Sequence, residues 1–282
     1  MAKSGPQRFP GASVDNFWQS KWGGDPMESR IVVWHTTEGT SLPGYEQGGK
    51  APNFTAVPNF TARKLVWHQH FDFDVSSRAL RNLSGGVETN TLHAVQVELV
   101  GTCDPKTHAE WKASKIPHLF TPALPDWVLR DLATFARWAN VQHQIPLSSN
   151  VSWKPFDASF GAGNGVRMTP AKWRTFKGHC GHMHVPENSH GDPGTLPIAR
   201  ILGLAKSPAP PRPAAPRPSV PRPSVPRPPV ARPKVHVVRS GETLSGIAKA
   251  HRITLAALLT ANPSLKPNPN LIRAGQKLRL PA

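Results

Sequence analysis

A proline-rich stretch limits this chain more than any other feature. Lys206 to Lys234 reads KSPAPPRPAAPRPSVPRPSVPRPPVARPK, with a Pro-Arg-Pro-Ser-Val unit recurring at five-residue spacing. Proline fixes φ and removes a backbone donor, so neither helix nor sheet forms at this density. The expected form is polyproline II at about 3.1 Å per residue, a semi-rigid spacer on the order of 80 Å long. An SH3-type ligand is the competing reading, and the foldable sequence on both sides favours a tether. The 282 residues therefore divide. An N-terminal extension (1–27) leads into a domain over 28–205, followed by the linker (206–234) and a small domain over 235–282. The first part can bury a full core, whereas a tail of about 45 residues folds alone only if it is compact and local.

Charge narrows the partners. There are 34 Lys and Arg against 17 Asp and Glu, a formal net charge of +17. Such an excess favours nucleic acid, anionic lipid or acidic cell-wall polymer. Part of it has a plainer reading as a basic, soluble linker, because Arg212, Arg217, Arg222, Arg227, Arg232 and Lys234 all fall in the proline stretch. Residues 1–10 are polar, so no signal peptide is expected, and no later run is long enough to span a bilayer. Synthesis in a cytoplasm and a monomeric state are the expectations. Cys103 and Cys180 lack the Cys-x-x-Cys spacing of a structural zinc site and are too few for a disulfide framework. Buried free thiols are the first reading, with a single bridge the alternative for a protein acting outside the cell.

Before the linker the pattern is mixed α/β. Ile31-Val32-Val33-Trp34 reads as a buried strand. Ala94 to Val100 alternates, with Val95, Val97 and Leu99 on one face and Gln96 and Glu98 on the other. Asp126 to His143 reads as a helix with Val128, Leu132, Phe135 and Ala139 in one apolar stripe, Pro125 in its first turn and Pro146 beyond its end. Gly161 to Gly165 is a loop, and nothing after it would cradle a phosphate.

After the linker, Val235–Val237 and Lys277–Leu280 suit short strands. Between them Leu244, Ile247, Ala248 and His251 keep helical spacing behind Thr243 as N-cap, and Leu255, Leu258 and Leu259 do so behind Thr254. A small β-α-α-β unit follows. The opening His-Val-Val-x-Ser-Gly-Glu-Thr-Leu-Ser-x-Ile-Ala, the Asn262-Pro263 pair and the closing Ala-Gly-Gln-Lys-Leu-x-Leu-Pro resemble the LysM family over the whole segment. The resemblance implies binding of N-acetylglucosamine-containing glycans, peptidoglycan or chitin. It places the groove between Gly241-Glu242-Thr243-Leu244 and the loop Asn262-Pro263-Ser264-Leu265. Leu244 and Leu265 read as core, which leaves the loop backbone as the better glycan contact.

In the first domain, histidine placement carries the argument. His35 follows the strand Ile31–Trp34, where a strand end holds a ligand rigidly. Gly181-His182-Met183-His184 is followed by His190-Gly191-Asp192-Pro193-Gly194. A catalytic zinc site needs three protein ligands and one open position, and imidazoles with one carboxylate suit it. Trp34-His35-Thr36-Thr37-Glu38-Gly39 and Gly181-His182 with Asp192-Pro193-Gly194 resemble the two zinc-binding motifs of the amidase-2 family. Its members are N-acetylmuramoyl-L-alanine amidases related to peptidoglycan recognition proteins. The likeness spans about residues 28–202 and is greatest to lysins of phages that infect actinobacteria.

The resemblance implies a mixed central sheet flanked by helices, with zinc held by His35, His182 and Asp192. It makes Glu98 the strand glutamate that takes a proton from the attacking water. His190 stands where many members carry a lysine that stabilises the oxyanion. Peptidoglycan is the implied partner, and nucleic acid is not, because no reading motif accompanies the charge. A phage endolysin released to the wall fits best. A host autolysin and a non-catalytic peptidoglycan receptor are the alternatives. At residue level, Glu98 competes with a solvent-facing strand position, and His184 competes with His182 if the loop register differs. His68, His70 and His93 are cleft groups or, for at least two of them, surface positions. Trp67 and Phe71 stand between core and sugar stacking.

Overall fold

The computed structural model describes residues 5–89, 91, 93–207, 235–239, 242–251, 253–265 and 272–281. From residue 208 on, the polyproline expectation lies outside the described residues, and so does Gly241. The chain divides into two compact units, Met1–Arg212 and Pro213–Ala282.

In the first unit the elements run α1 (Gln19–Trp22), β1 (Ile31–Thr36), β2 (Phe54–Asn59), β3 (Lys64–Gln69), β4 (Ala94–Leu99), α2 (Pro105–Ala113), α3 (Asp126–His143), α4 (Pro170–Thr175), β5 (Gly178–Gly181) and α5 (Ile198–Lys206). The sheet order is β3-β2-β4-β1-β5. β1 runs parallel to β4 and β5, β2 runs parallel to β4, and only edge strand β3 is antiparallel. This is the expected mixed sheet with helices against it. β1 is buried along its whole length, as a central parallel strand requires. Val32 and Trp34 face the α3–α5 core, while Ile31 and Val33 face a second core with Met168, Trp173 and Cys180.

The alternation in β4 is real, but its polar face is not solvent. Gln96 is fully buried because the sheet is covered on both sides, and its N–H donates to Asn53 Oδ1. Helix α3 has the expected bounds and buries Val128, Leu132, Phe135 and Ala139. Phe135 meets the rings of Phe9, Trp34, Phe54 and Trp67, so truncating it to alanine costs about 3–5 kcal/mol. Pro125 occupies the N-cap with extended backbone, one residue ahead of the first turn expected for it.

The N-terminal segment is built into this unit. Phe9 packs edge-on against Trp67, Phe135 and Trp138 at 5.1–5.3 Å, Ser13 pairs with His68, and Pro26 pairs with Val75. Trp67 and Phe71 are both core.

The second unit has the order β6 (Val235–Val237), α6 (Leu244–Ala250), α7 (Leu255–Ala261) and β7 (Lys277–Arg279), with β6 and β7 antiparallel. Thr243 and Thr254 cap the helices by accepting from Gly246 N and Ala257 N. Leu244, Ile247, Leu258, Leu265 and Leu278 form its core. Among the described residues, no helix is long and apolar enough to cross a membrane.

Candidate metal centre

The period-2 alternation of β1 sends Val32 and Trp34 toward α3, and Ile31, Val33 and His35 to the opposite face. Glu98 on β4 is the register partner of His35, and Thr55 on β2 is the partner of Glu98. The sheet thus sets three polar side chains in a row on one face: His35 and Glu98 near the carboxyl ends of their parallel strands, where α/β sheets place their ligands, and Thr55 near the start of β2. β5 ends with Gly181 opposite Trp34 and so delivers His182 beside His35, with the ring centres 4.6 Å apart. Glycine is required at 181: a Cβ there would sit 2.7 Å from Pro193 Cδ and 2.8 Å from the Trp153 ring. Asp192 lies in the loop that follows and is pinned to β1, its Oδ2 accepting from Thr36 N–H at 3.2 Å.

His35, His182 and Asp192 converge, one ligand atom from each lying within 4.8 Å of the others. His182 Nδ1 is 3.1 Å from Asp192 Oδ1, His35 Nδ1 is 3.5 Å from Oδ2, and the two Nδ1 atoms are 3.1 Å apart. The tautomer of His182 follows from its neighbour. Asn188 Oδ1 accepts from Arg81 N–H and its Nδ2 donates to Pro186 O, which fixes the amide's orientation. His182 Nε2–H must then donate to Oδ1 at 2.9 Å, leaving Nδ1 as a lone pair in the neutral ring. Among the described residues, the buried His35 Nε2 has no hydrogen-bond partner.

Burial, then the charge of His182, pulls the His35 imidazole down to about 4. For Asp192 burial acts upward, but His182 and His35 outweigh it and hold the carboxylate well below its usual range. Burial lowers His182 too, and there the charge of Asp192 wins and raises it. Two orientable imidazoles and an ionised carboxylate fit a borderline divalent metal such as zinc, with the fourth side open to the cleft.

That cleft has a volume of about 700 Å³ and is walled by Tyr45, Lys50, Arg78, Arg81 and Glu98 around the triad. Burial pushes Glu98 up to about 7; the Tyr45 hydroxyl, donating to its Oε2 at 2.7 Å, works against this, and the charge of Asp192 adds to it. Glu98 therefore lines the cleft and is not a solvent-facing strand position. Tyr45 also lies 2.7 Å from Thr55 Oγ1, which is 3.0 Å from His70 Nε2, and His70 Nδ1 donates to Asn16 O. Sequence reasoning missed Tyr45. The available signal was that it is the single tyrosine in a chain with nine Trp and eleven Phe.

His190 sits at the rim with a side chain 69% exposed, its ring stacked on His182 and its Nδ1 3.8 Å from Asp192 Oδ1. Burial of its inner face, then the charge of His182, lowers its pKa, so at neutral pH it is an uncharged imidazole. Arg167 was also missed. Its guanidinium donates to the carbonyls of Gly161, His182, Val185 and His190, tying the loop that carries His182 to the loop that carries Asp192. Glu38 is structural, accepting from Thr36 Oγ1, Cys103 N and Thr102 Oγ1.

His184 is not in the ligand cluster: its Nδ1 accepts from Gly181 N and its Nε2 donates to Ser152 O. His70 is buried, its Nδ1 donating to Asn16 O, whereas His68 and His93 are half-buried, His68 beside the N-terminal segment and His93 bonded to Glu28 O. Cys103 and Cys180 are buried free thiols.

In the second unit, Glu242 accepts from His236 Nε2 and Arg239 N. Thr243 serves as a cap, and the Asn262 amide is spent joining α7 to β7 through Leu258 O, Arg279 O and Arg279 N. Pro263 and Ser264 are exposed in a 3₁₀ turn.

Residues 236–281 match the family described as LysM domain. In that region 43 residues are 51% identical to a protein named Endolysin from Bacillus phage PZA; the match covers 15% of this chain and 16% of that protein. No solved structure matches the chain. The C-terminal unit is therefore a LysM domain, joined to an α/β unit that carries a His-His-Asp cluster beside a buried glutamate.

Proposed function

We propose that the chain is a zinc-dependent N-acetylmuramoyl-L-alanine amidase of the phage endolysin kind, held on peptidoglycan by its LysM domain. The observation that carries this is the registration of Glu98 beside His35 on the wall formed with His182 and Asp192. Zinc on His35, His182 and Asp192 would polarise the scissile carbonyl and acidify water. Glu98 accepts a proton from the attacking water and delivers it to the departing L-alanine nitrogen, so that the lactyl carbon gains oxygen as its C–N bond breaks. A group poised near pH 7 can do both. Tyr45 holds the Glu98 carboxylate in place. His190, neutral at the rim, offers a ring N–H to the oxyanion. The LysM domain raises the local concentration of the enzyme on the wall.

The test is digestion of purified peptidoglycan with and without a zinc chelator, scoring new N-terminal alanine and new reducing sugar ends. Chelator-sensitive release of alanine without reducing ends is expected. Reducing ends would mean that a different bond is cut, and retention on the wall without cleavage would favour a receptor.

A further inference from the structure

Charge is spread unevenly along the chain. Residues 1–205 hold twenty Lys and Arg against sixteen Asp and Glu. Residues 235–282 hold seven against a single acid, Glu242, and residues 206–234 add seven more cations and no acid. The LysM domain is thus strongly cationic, which recognition of an uncharged N-acetylglucosamine chain does not require. Its one carboxylate is already committed, accepting from His236 Nε2 and Arg239 N. Among the described residues, Lys249, Arg273, Lys277 and Arg279 are exposed and join no ion pair.

Two of these cations are set in a row by the sheet. In the antiparallel register Val235 faces Arg279 and Val237 faces Lys277, while Leu278 is buried between the two cations. Period-2 alternation puts Val235, Val237, Lys277 and Arg279 on one face, and all four are exposed, the valines at 52% and 48%. Lys277 and Arg279 stand about 7 Å apart along the strand, which matches successive phosphates on a three-carbon polyol chain. This strand also adjoins the loop that the LysM resemblance assigns to the glycan. The Asn262 amide donates to Arg279 O at 2.8 Å and accepts from Arg279 N–H at 2.9 Å.

Composition narrows the occupant. Residues 235–282 contain no Phe, Trp or Tyr. Single-stranded nucleic acid is held by cations together with aromatic platforms for its bases, and a membrane surface by bulky apolar side chains that insert. Two cations beside two small aliphatic side chains supply neither; they suit a polyanion with an aliphatic backbone.

We infer that the outer face of the β6–β7 sheet is a second binding surface, which takes a phosphodiester polymer of the cell wall carried on the same glycan strand that fills the groove. Lys277 and Arg279 pair with successive phosphates, and Val235 and Val237 pack against the carbons between them. Because the two ligands are joined, a wall that bears the polymer holds the domain more tightly than bare peptidoglycan does. The inference uses the LysM domain alone and stands whichever bond the first unit cuts.

Sedimentation of the full-length protein with purified walls, kept cold to suppress cutting, tests this. One set of walls is native and bears a phosphodiester polymer; the other has been stripped of it with hydrofluoric acid. The wild type is expected to bind native walls about tenfold more tightly, and to lose that advantage between about 50 and 200 mM salt, as counterion release from two phosphates requires. The double variant Lys277→Gln, Arg279→Gln should bind both walls alike, while its calorimetric affinity for an N-acetylglucosamine oligomer and its Tm match the wild type. Equal wild-type affinity for native and stripped walls would overturn the surface, and so would a double variant that keeps the preference. Tighter binding to duplex DNA or to anionic lipid vesicles than to native walls would also overturn it, assigning the cations to a different polyanion.

Discussion

The candidate metal centre has two halves that are held by different means. His35 and Glu98 sit on adjacent parallel strands, so the hydrogen-bond ladder of the sheet sets their separation. His182 and Asp192 sit just past β5 and in a loop, and side chains from elsewhere set theirs: Arg167 through four carbonyls and Asn188 through the His182 ring. A ladder is redundant, since no single side chain carries it. A side-chain brace is not, and its loss reaches the ligands from a distance. The strand half should therefore fail only when its own functional groups are replaced, whereas the loop half should fail also when its supports are.

The largest effect treats the halves alike. His35→Ala and Asp192→Ala should each abolish stoichiometric zinc, measured by equilibrium dialysis and elemental analysis, and lower hydrolysis by at least about 10³-fold. Zinc retained at full occupancy by either variant would remove that residue from the ligand set.

The supports separate the halves. Arg167→Ala and Asn188→Ala should weaken zinc affinity by about 10–100-fold while leaving the ligands themselves intact. Unchanged affinity in both would mean that the loop holds its geometry without them, and the contrast would collapse.

A smaller effect probes the strand half. Tyr45→Phe removes the donor to Glu98 Oε2, so the carboxyl should titrate higher and the acid limb of the pH–rate profile should move up. A limb that moves down would mean that the tyrosine acts otherwise than as a donor to the carboxylate.

The smallest effect comes from a residue outside the cleft lining. Burial acts to raise Asp74, but hydrogen bonds with His143, Gln7 and Ser29 outweigh it and lower its pKa. A depressed carboxyl stabilises the fold above its unfolded pKa and loses that contribution as pH falls through the folded value. Asp74→Asn should thus lower Tm at neutral pH and flatten the acid decline, with little change in zinc affinity at pH 7.

The same contrast explains how much could be read in the sequence. β1, β4, α3 and both LysM helices announce themselves through local periodicity, and His35 and Glu98 inherit their places from it. His182 and Asp192 are legible only through a motif, because a loop has no period. Tyr45, Asn188, Arg167 and Arg78 were invisible because each lies outside the helices and strands, where there is no period to read, and some of their partners are distant in sequence. Tyr45 lies 53 residues from Glu98, and Asn188 lies 107 from Arg81. The N-terminal segment looked detached for a related reason: Phe9 has no apolar pattern around it, and its partners are on β3 and α3.

The polar row on the sheet also has a proton inventory. Three contacts join His70 to Thr55, Thr55 to Tyr45, and Tyr45 to Glu98. Two hydroxyl protons serve them, and His70 Nδ1–H is already committed to Asn16 O. With Glu98 ionised and His70 neutral, one contact lacks a hydrogen. The missing proton can enter at His70 Nε2 or at Glu98, and burial holds His70 down at about 4 while it lifts Glu98 to about 7. The glutamate end is therefore where the row takes up its last proton, so a group that must seize one from water has behind it a line of hydroxyls that closes when it does.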